Sequence, residues 1–256
     1  QCLGPLLTGQ RFATVGISHL TTSRQHLSRP VLLARCCDDG IVLDGLSPWV
    51  TGAAFADWIV TGATLDDGRR QVLAAVPRDT PGMTALPPSN LMALTASQTG
   101  PVAFEKVEVA SPWLLAGPAE NVMKSGVGAT AGGLQTSTLA AGLASSAITY
   151  LESESDDRPA LAPAAKSFRD QWQQLVSDLL ARADGEPVCS NEELRTRANS
   201  LVLRTTQSAL SAAKGAGYVT GHPIGRWCRE ALFFLVWSCP QPVQQAGLCE
   251  LAGIVT

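Results

Sequence analysis

Charged residues are scarce in this chain of 256 residues: they make up 16% of it, where an average soluble domain has about 25%. Much of the surface is therefore either small and neutral or buried against a neighbour, which favours an oligomer. The few charges almost balance, at a net charge of −3. Because nucleic acids and acidic membranes attract basic surfaces, neither is expected as a partner.

Metal-ligand and disulfide patterns are missing as well. The seven cysteines include no CxxC spacing, and the histidines form no pair at metal-ligand distance in sequence. This predicts reduced thiols in a cytoplasmic protein, without a metal site or a disulfide framework. The longest apolar run, Ala231–Trp237, is far too short to span a bilayer. No signal peptide opens the chain, and its first residue is Gln1, so a fragment or a processed chain is expected.

The first part of the chain has the pattern of short strands separated by turns. Two Asp-Asp-Gly sequences, ending at Gly40 and Gly68, each lie between apolar runs and predict hairpins, because glycine takes positive φ without strain. A further strand, residues 102–109, alternates apolar and polar side chains, and Lys106 interrupts the alternation, which indicates a bulge. Residues 11–116 are therefore predicted to form an antiparallel β-barrel or sandwich.

The second part, residues 117–256, has a helical period and predicts an up-and-down bundle, which makes the fold class α+β. Ser190 and Glu193 form a capping box, so a helix is expected from there to about Ala213. Another helix is expected from Ile224 to Ser238, before Pro240. Two apolar faces support the first two helices: Leu139, Leu143, Ala147 and Leu151, then Phe168, Trp172, Leu175, Val176 and Leu179.

Several weak motifs occur in one order along the chain. Trp49-Val50-Thr51-Gly52-Ala53 follows a predicted strand, and residues 12–18 precede it. The strand at residues 96–112, the glycine-containing stretch at 117–123 and the string Arg229–Pro240 come later. This ordered set resembles the acyl-CoA dehydrogenases, which have a helical domain, a β domain and a helical bundle. Residues 1–10 resemble the hinge before the β domain, so the N-terminal helical domain is expected to be absent.

The resemblance implies FAD as the cofactor and places one group of contacts on the β domain. Ile17 and Ser18 fall where the family's main chain and a threonine touch the isoalloxazine ring. Trp49, together with Val50, falls where the family has an aromatic residue beside the flavin. Thr51 falls where a hydroxyl bonds near N5 of the ring. An aromatic wall that excludes water and a donor near N5 are the means by which a protein tunes a flavin.

Two further contacts are implied by the same resemblance. Ser23 corresponds to a serine at the pyrophosphate, although the loop that contains it lacks the family's Glu-Pro and Gly-Ser. Arg158 corresponds to an arginine that reaches the cofactor of a neighbouring subunit, so a homodimer or homotetramer is implied. An arginine beside Asp156 and Asp157 is equally typical of a solvated loop.

The position of the catalytic base is where the sequence departs from the family. With Arg229 aligned, the family's glutamate corresponds to Ser238, and a serine hydroxyl is a poor base at neutral pH without a partner base. Some family members place the glutamate at the start of the first bundle helix. Residues 131–135 contain neither that glutamate nor the arginine that follows it.

Three functions remain open from the sequence. The first is an FAD-dependent oxidoreductase that acts on CH–CH groups of a small-molecule acyl-CoA, with Ser238 at the base position. Alternatives on the same fold are a flavin-dependent oxidase or monooxygenase, and a non-catalytic flavin-binding scaffold protein. The presence of bound flavin, and its reduction by an acyl-CoA, would distinguish these hypotheses.

Overall fold

A computed structural model describes residues 3–21, 30–124, 134–237 and 239–254. The chain divides into two compact units, residues 1–129 and 130–256. All strands of the described ranges lie in the first unit and all long helices in the second, which confirms the α+β class. No helix in these ranges combines the length and the apolar character needed to cross a membrane.

The described residues of the first unit form two short α-helices and eight strands, besides short 3-10 segments. Its longer strands, such as the sequence Trp58–Leu65, are rich in β-branched and small apolar residues, which suits strands with a buried face. In chain order the elements are α1 (Leu3–Leu7), β1 (Ala13–Gly16), α2 (Ser18–Thr21), β2 (Leu32–Cys37), β3 (Gly40–Val50), β4 (Trp58–Leu65), β5 (Gln71–Pro77), β6 (Met83–Ala85), β7 (Gly100–Ala110) and β8 (Leu114–Ala119).

The eight strands form one mixed sheet, so the prediction of an antiparallel barrel or sandwich is corrected. Along the sheet the order is β6-β7-β3-β2-β4-β5-β8, and β1 pairs with β4 outside this path. The path does not close, because β6 and β8 stand at its two ends. The pairings of β1 and β2 with β4 are parallel, and the others are antiparallel. Parallel pairing joins strands that no tight turn connects, so turn residues do not signal it.

Strands β1 and β2 lie end to end along one edge of β4, whose other edge is occupied by β5. Gly16 is opposite Thr61, and the next parallel partners are Leu33 and Thr64. Gly62 therefore lies in a gap between the two paired segments. The chain leaves the ladder after β1 and rejoins it at β2, and α2 lies in this excursion.

Both predicted hairpins and the predicted bulge are confirmed. In the β2–β3 hairpin Cys37 lies opposite Gly40, and in the β4–β5 hairpin Gly68 has a φ of 70°. Opposite β7, the register of β3 steps from the pair Leu43 and Val107 to the pair Gly45 and Phe104. One extra residue of β7 is thus accommodated, and Lys106 there has a φ of 51°. The bulge lets β7 keep Val107 and Phe104 in the core.

The second unit is a bundle in which α3, α4 and α5 pack against one another. Its elements are α3 (Leu134–Asp157), α4 (Ala162–Ala183), α5 (Asn191–Ala213), α6 (Pro223–Ala231) and α7 (Gln241–Leu251). The predicted capping box is confirmed, since Ser190 Oγ accepts a hydrogen bond of 3.0 Å from the Glu193 main-chain N–H. The predicted end of α5 at Ala213 is also confirmed.

Two details of the helical prediction are wrong. Leu139 is 56% exposed, because the buried face of α3 is formed mainly by small residues, including Ala140 and Ala144. The helix expected from Ile224 to Ser238 changes after Ala231 to a 3-10 segment, Leu232–Leu235. Side chains of α5 bond the carbonyls at the end of this segment, so these carbonyls need no further helical donors.

Candidate functional site

The end of β1 is fixed to β3 and β4 by two buried hydroxyl groups. Ser47 Oγ and Thr61 Oγ1 each donate to the Gly16 carbonyl over 3.0 Å. A Cβ atom at residue 16 would lie 2.6 Å from Ser47 Oγ and 2.7 Å from Val50 Cγ2, so only glycine fits this approach. The peptide that leads from Gly16 into Ile17 therefore has a fixed orientation.

A second hydrogen bond joins β1 to the residue that follows β3. Thr14 Oγ1 donates to the Thr51 carbonyl over 2.6 Å. Together with the Gly16–Val50 approach, this bond places the end of β1 beside the end of β3. The structure thus places β1, which leads into Ile17 and Ser18, beside the end of β3, which carries Trp49 and leads into Thr51.

Side-chain exposure alternates from Trp49 through Val50 to Thr51, which follows β3, as expected for an extended chain. Trp49 is 51% exposed, whereas Val50 is fully buried. A cofactor contact from Val50 would therefore come from its main chain. Thr51 is exposed, and its Oγ1 lies 3.0 Å from Thr99 Oγ1. This end of the sheet accordingly offers an aromatic surface and a hydroxyl group side by side.

A hydroxyl cluster around Thr51 had no signal in the sequence. Thr99 Oγ1 lies 2.8 Å from Ser97 Oγ, and the Gly52 N–H donates to the Ser97 carbonyl over 3.0 Å. These bonds hold the turn after β3 against the segment before β7. Thr99 is 48 residues from Thr51, so no local motif connects the two.

His19 lies on α2, next to Ser18, and the sequence assigned it no role. Its Nε2 is 2.6 Å from the Gly62 carbonyl. Burial lowers the pKa of His19 below its ordinary value of 6.5, and the Gly62 carbonyl acts in the opposite direction. Because a carbonyl only accepts, Nε2 carries a proton, and in the neutral ring Nδ1 carries the lone pair.

The remaining predicted site residues give a less complete picture. Ser23 and Ser238 lie outside the described residues. Arg158 forms an ion pair with Glu154, one turn earlier on the second unit. The guanidinium of Arg158 is thus engaged within its own chain, and its proposed reach to another subunit stays a prediction. Glu154 also contacts Tyr150, and the burial of Tyr150 together with this hydrogen bond raises the pKa of Tyr150.

A buried cation of the second unit bonds the carbonyl of Trp237. Arg195 is 2% exposed, and its guanidinium bonds Asn199 Oδ1 at 2.9 Å and the carbonyl of Trp237 at 2.8 Å. Among the described carboxylates none forms an ion pair with it. Burial lowers the pKa of Arg195, and burial raises the pKa of the Cys239 thiol.

A cleft of about 420 Å³ near the start of β4 is lined by charged and aromatic side chains. Two of its residues, Arg11 and Asp57, form an ion pair at 2.5 Å, and Asp57 also accepts from the Phe12 N–H at 2.8 Å. These contacts satisfy the carboxylate within the protein. The Asp57 carboxylate is therefore not a free group for a ligand.

The residues at the end of β3 fit a flavin ring by their chemistry. A planar aromatic cofactor requires an apolar face and hydrogen-bonding groups at its edge. Trp49 supplies an exposed aromatic face and Thr51 supplies a hydroxyl, while the bonds of Ser47 and Thr61 to the Gly16 carbonyl fix the peptide that leads into Ile17. None of these residues carries a charge that a neutral ring would have to desolvate.

The chain is similar to known proteins in sequence and in fold. No model of a protein family matches the sequence. The protein named "Probable acyl-CoA dehydrogenase YngJ" of Bacillus subtilis (strain 168) is 24% identical over 226 residues, which cover 81% of this chain. The match spans 60% of the length of that relative.

Solved structures show the same fold. The butyryl-CoA dehydrogenase of Megasphaera elsdenii superposes with a TM-score of 0.81 at 20% identity, over 98% of this chain and 70% of that one. A glutaryl-CoA dehydrogenase of Mycobacterium smegmatis, in complex with FADH2, superposes with a TM-score of 0.77 at 18% identity, over 98% of this chain and 68% of that one. The fold expected from the ordered motifs is therefore confirmed.

Proposed function

The chain is acyl-CoA dehydrogenase-like in fold and in sequence, and from this premise we propose that it binds FAD and acts as an oxidoreductase on an acyl thioester. One observation carries the proposal: β1, which leads into Ile17 and Ser18, lies beside the end of β3, which carries Trp49 and leads into Thr51. The bonds from Ser47 to Gly16 and from Thr14 to Thr51 hold the two strands in this arrangement.

In this proposal each residue has a stated part. Trp49 covers one side of the ring and keeps water from it, and Thr51 directs its hydroxyl to the edge of the ring. Ile17 and Ser18 hold the ring through the main chain that follows β1. When bound, FAD accepts the hydride that leaves the substrate.

Removal of the substrate proton is a separate requirement. Ser238 corresponds to the family's base only by resemblance, and a serine hydroxyl is a poor base at neutral pH. The chain therefore supplies the cofactor-binding groups but not, at that position, a carboxylate. We propose that proton abstraction by wild type is slow, and that a carboxylate at residue 238 accelerates it. The natural serine at residue 238, in place of the family's glutamate, also favours a second candidate function, that of a flavin-dependent oxidase or monooxygenase.

The test measures cofactor binding and reduction separately. The purified protein is titrated with FAD, and the absorbance spectrum of the bound flavin is recorded. Acyl-CoAs of different length are then added without oxygen to wild type and to Ser238→Glu. We expect FAD binding in both proteins and faster bleaching of the flavin in Ser238→Glu. Ser208→Glu, on the helix α5, is the control for adding a carboxylate elsewhere.

The possible results separate the candidates. Absence of FAD binding contradicts the proposed function altogether. If FAD binds but no acyl-CoA bleaches it in either protein, the acyl-thioester substrate is wrong and a scaffold role is supported. Reduction that is followed by oxygen consumption supports the oxidase or monooxygenase. The Arg158 contact, the homodimer or homotetramer and the cytoplasmic location stay predictions, and Ser23 stays the proposed pyrophosphate contact.

A further inference from the structure

His19 takes the place of a strand partner in the gap along the edge of β4. The β1 ladder ends where Gly16 faces Thr61, and the β2 ladder begins where Leu33 faces Thr64. Gly62 lies between these pairs, and its carbonyl bonds His19 Nε2 at 2.6 Å. An imidazole N–H thus supplies the hydrogen bond that a continuous strand would have supplied to β4.

The next residue, Leu20, anchors the same turn by packing. Leu20 is 6% exposed and lies directly over Gly62. A Cβ atom at residue 62 would be 2.2 Å from Leu20 Cδ1 and 3.1 Å from Leu73 Cδ2. The absence of a side chain at Gly62 is therefore what admits α2 to this position. Together the two contacts fix the turn that begins with Ile17 and Ser18.

Only the neutral form of His19 fits these surroundings. Nδ1 is buried and has no hydrogen-bond partner within the described part of the chain. A second proton on Nδ1 would create a buried cation with an unsatisfied N–H group, which is strongly unfavourable. Of the strands packed against the turn, β4 and β5 contain no ionisable side chain, and β3 contains only the exposed Asp44.

We propose that His19 is a positioning residue for the cofactor: as a neutral imidazole it fixes the turn of Ile17 and Ser18 on Gly62, and acid releases this turn and weakens FAD binding. This inference rests on the proposed function. The sign follows from linkage. The released turn takes up a proton at the ordinary histidine pKa of 6.5, whereas burial lowers the pKa of the docked His19. Docking is therefore fully stable above that pH and is lost as the pH falls below it.

The test compares the dissociation constant for FAD at about pH 8 and at about pH 5.5, one unit below the ordinary histidine pKa. For wild type we expect weaker binding at the lower pH, by at most about tenfold, because uptake of one proton over one pH unit cannot shift the equilibrium further. His19→Gln keeps an N–H donor for the Gly62 carbonyl but does not titrate here. It should bind FAD as wild type does at the higher pH and show no weakening at the lower.

His222→Gln is the matched control, because His222 caps a helix in the second unit through its Nδ1. It should retain the pH dependence of wild type. A flavin-independent measurement accompanies the binding assay: the ring protons of His19 are titrated by NMR in the protein without FAD. We expect a midpoint below 6.5, and assignment is by comparison with His19→Gln.

Different results overturn different statements. A wild-type pH dependence in His19→Gln overturns the positioning role, and so does an NMR midpoint at or above 6.5. Either result leaves FAD binding intact. If wild type binds no FAD at either pH, the proposed function fails, and the positioning role fails with it even where the NMR midpoint is low.

Discussion

The guanidinium of Arg195 donates to the carbonyl of Trp237 across 2.8 Å, and so joins α5 to the chain that leads into residue 238. The same guanidinium bonds Asn199, whose amide donates to the Phe234 carbonyl over 3.0 Å. The end of the 3-10 segment is therefore held by two polar residues of one helix. A C-terminal end of a helix also favours a positive charge, which offsets part of the desolvation of Arg195.

Arg195→Met should destabilise the second unit by about 1–3 kcal/mol, because it leaves buried acceptors without donors while it removes a desolvated charge. Urea unfolding followed by helical circular dichroism measures the change. Lys166→Met is the control, since Lys166 and Asp170 form an ion pair with side chains 76% and 57% exposed. That exposed pair should contribute less than about 1 kcal/mol. A loss no larger in Arg195→Met than in the control would contradict the structural role.

Trp49→Ala should weaken FAD binding about threefold to tenfold, the range expected for the loss of one aromatic contact. Because Trp49 is 51% exposed, the stability of the protein without FAD should change little. Titration with FAD and thermal unfolding without it separate the two effects. Tyr218→Ala, at a residue that is 89% exposed, should alter neither. Unchanged FAD affinity in Trp49→Ala would exclude Trp49 from the binding surface.

Gly62→Ala should destabilise the first unit by about 1–3 kcal/mol, because the new methyl group overlaps Leu20 in a filled space. Adding Leu20→Ala should recover part of that loss, and a double-mutant cycle measures the coupling. Gly142→Ala is the control, because an added Cβ there meets nothing within 4 Å on α3. This control should raise stability by about 0.5–1 kcal/mol. Additive effects at residues 20 and 62 would show that the two residues do not pack as described.

The Asp67 carboxyl should titrate far below an ordinary aspartate. Main-chain N–H groups of Arg70 and Arg69, and then the Arg70 side chain, lower the pKa of Asp67 from 3.8 to about 2. The β4–β5 hairpin is thus more stable above pH 3.8, and this contribution is lost as the pH falls towards about 2. Carboxyl chemical shifts give the midpoint. In Asp67→Asn this part of the acid dependence of stability should disappear. A midpoint near 3.8 for Asp67 in wild type would show that these hydrogen bonds do not form in solution.

Features encoded by a few adjacent residues could be predicted from the sequence. The hairpin at Gly68 and the cap at Ser190 each depend on chemistry within four residues, and both are confirmed. The parallel pairing of Ala13 with Trp58 has no such local signature, so an antiparallel sheet was expected. The sequence predicts Leu139 on the buried face of α3. Alanines line much of that face, so large apolar side chains do not identify it.

The candidate site shows the same division. Trp49 and Thr51 can be proposed from the sequence because they belong to a contiguous motif. Ser47, Thr99 and His19 act through partners 31, 48 and 43 residues away, and no spacing in the sequence announces them. Each is a hydroxyl or imidazole that satisfies a main-chain carbonyl or another hydroxyl. Such roles depend on which strands become neighbours, which only the fold determines.

The placement of β1 and β2 along one edge of β4 has an evolutionary consequence. The pairing of β1 with β4 ends at Gly16, and the pairing of β2 with β4 begins at Leu33. The register of these pairs therefore does not depend on the number of residues in between. Changes of length between Leu20 and Leu32 therefore leave both paired segments in register, as long as His19 and Leu20 keep their contacts with Gly62. Evolution can thus vary this stretch of the chain without rebuilding the sheet that carries it.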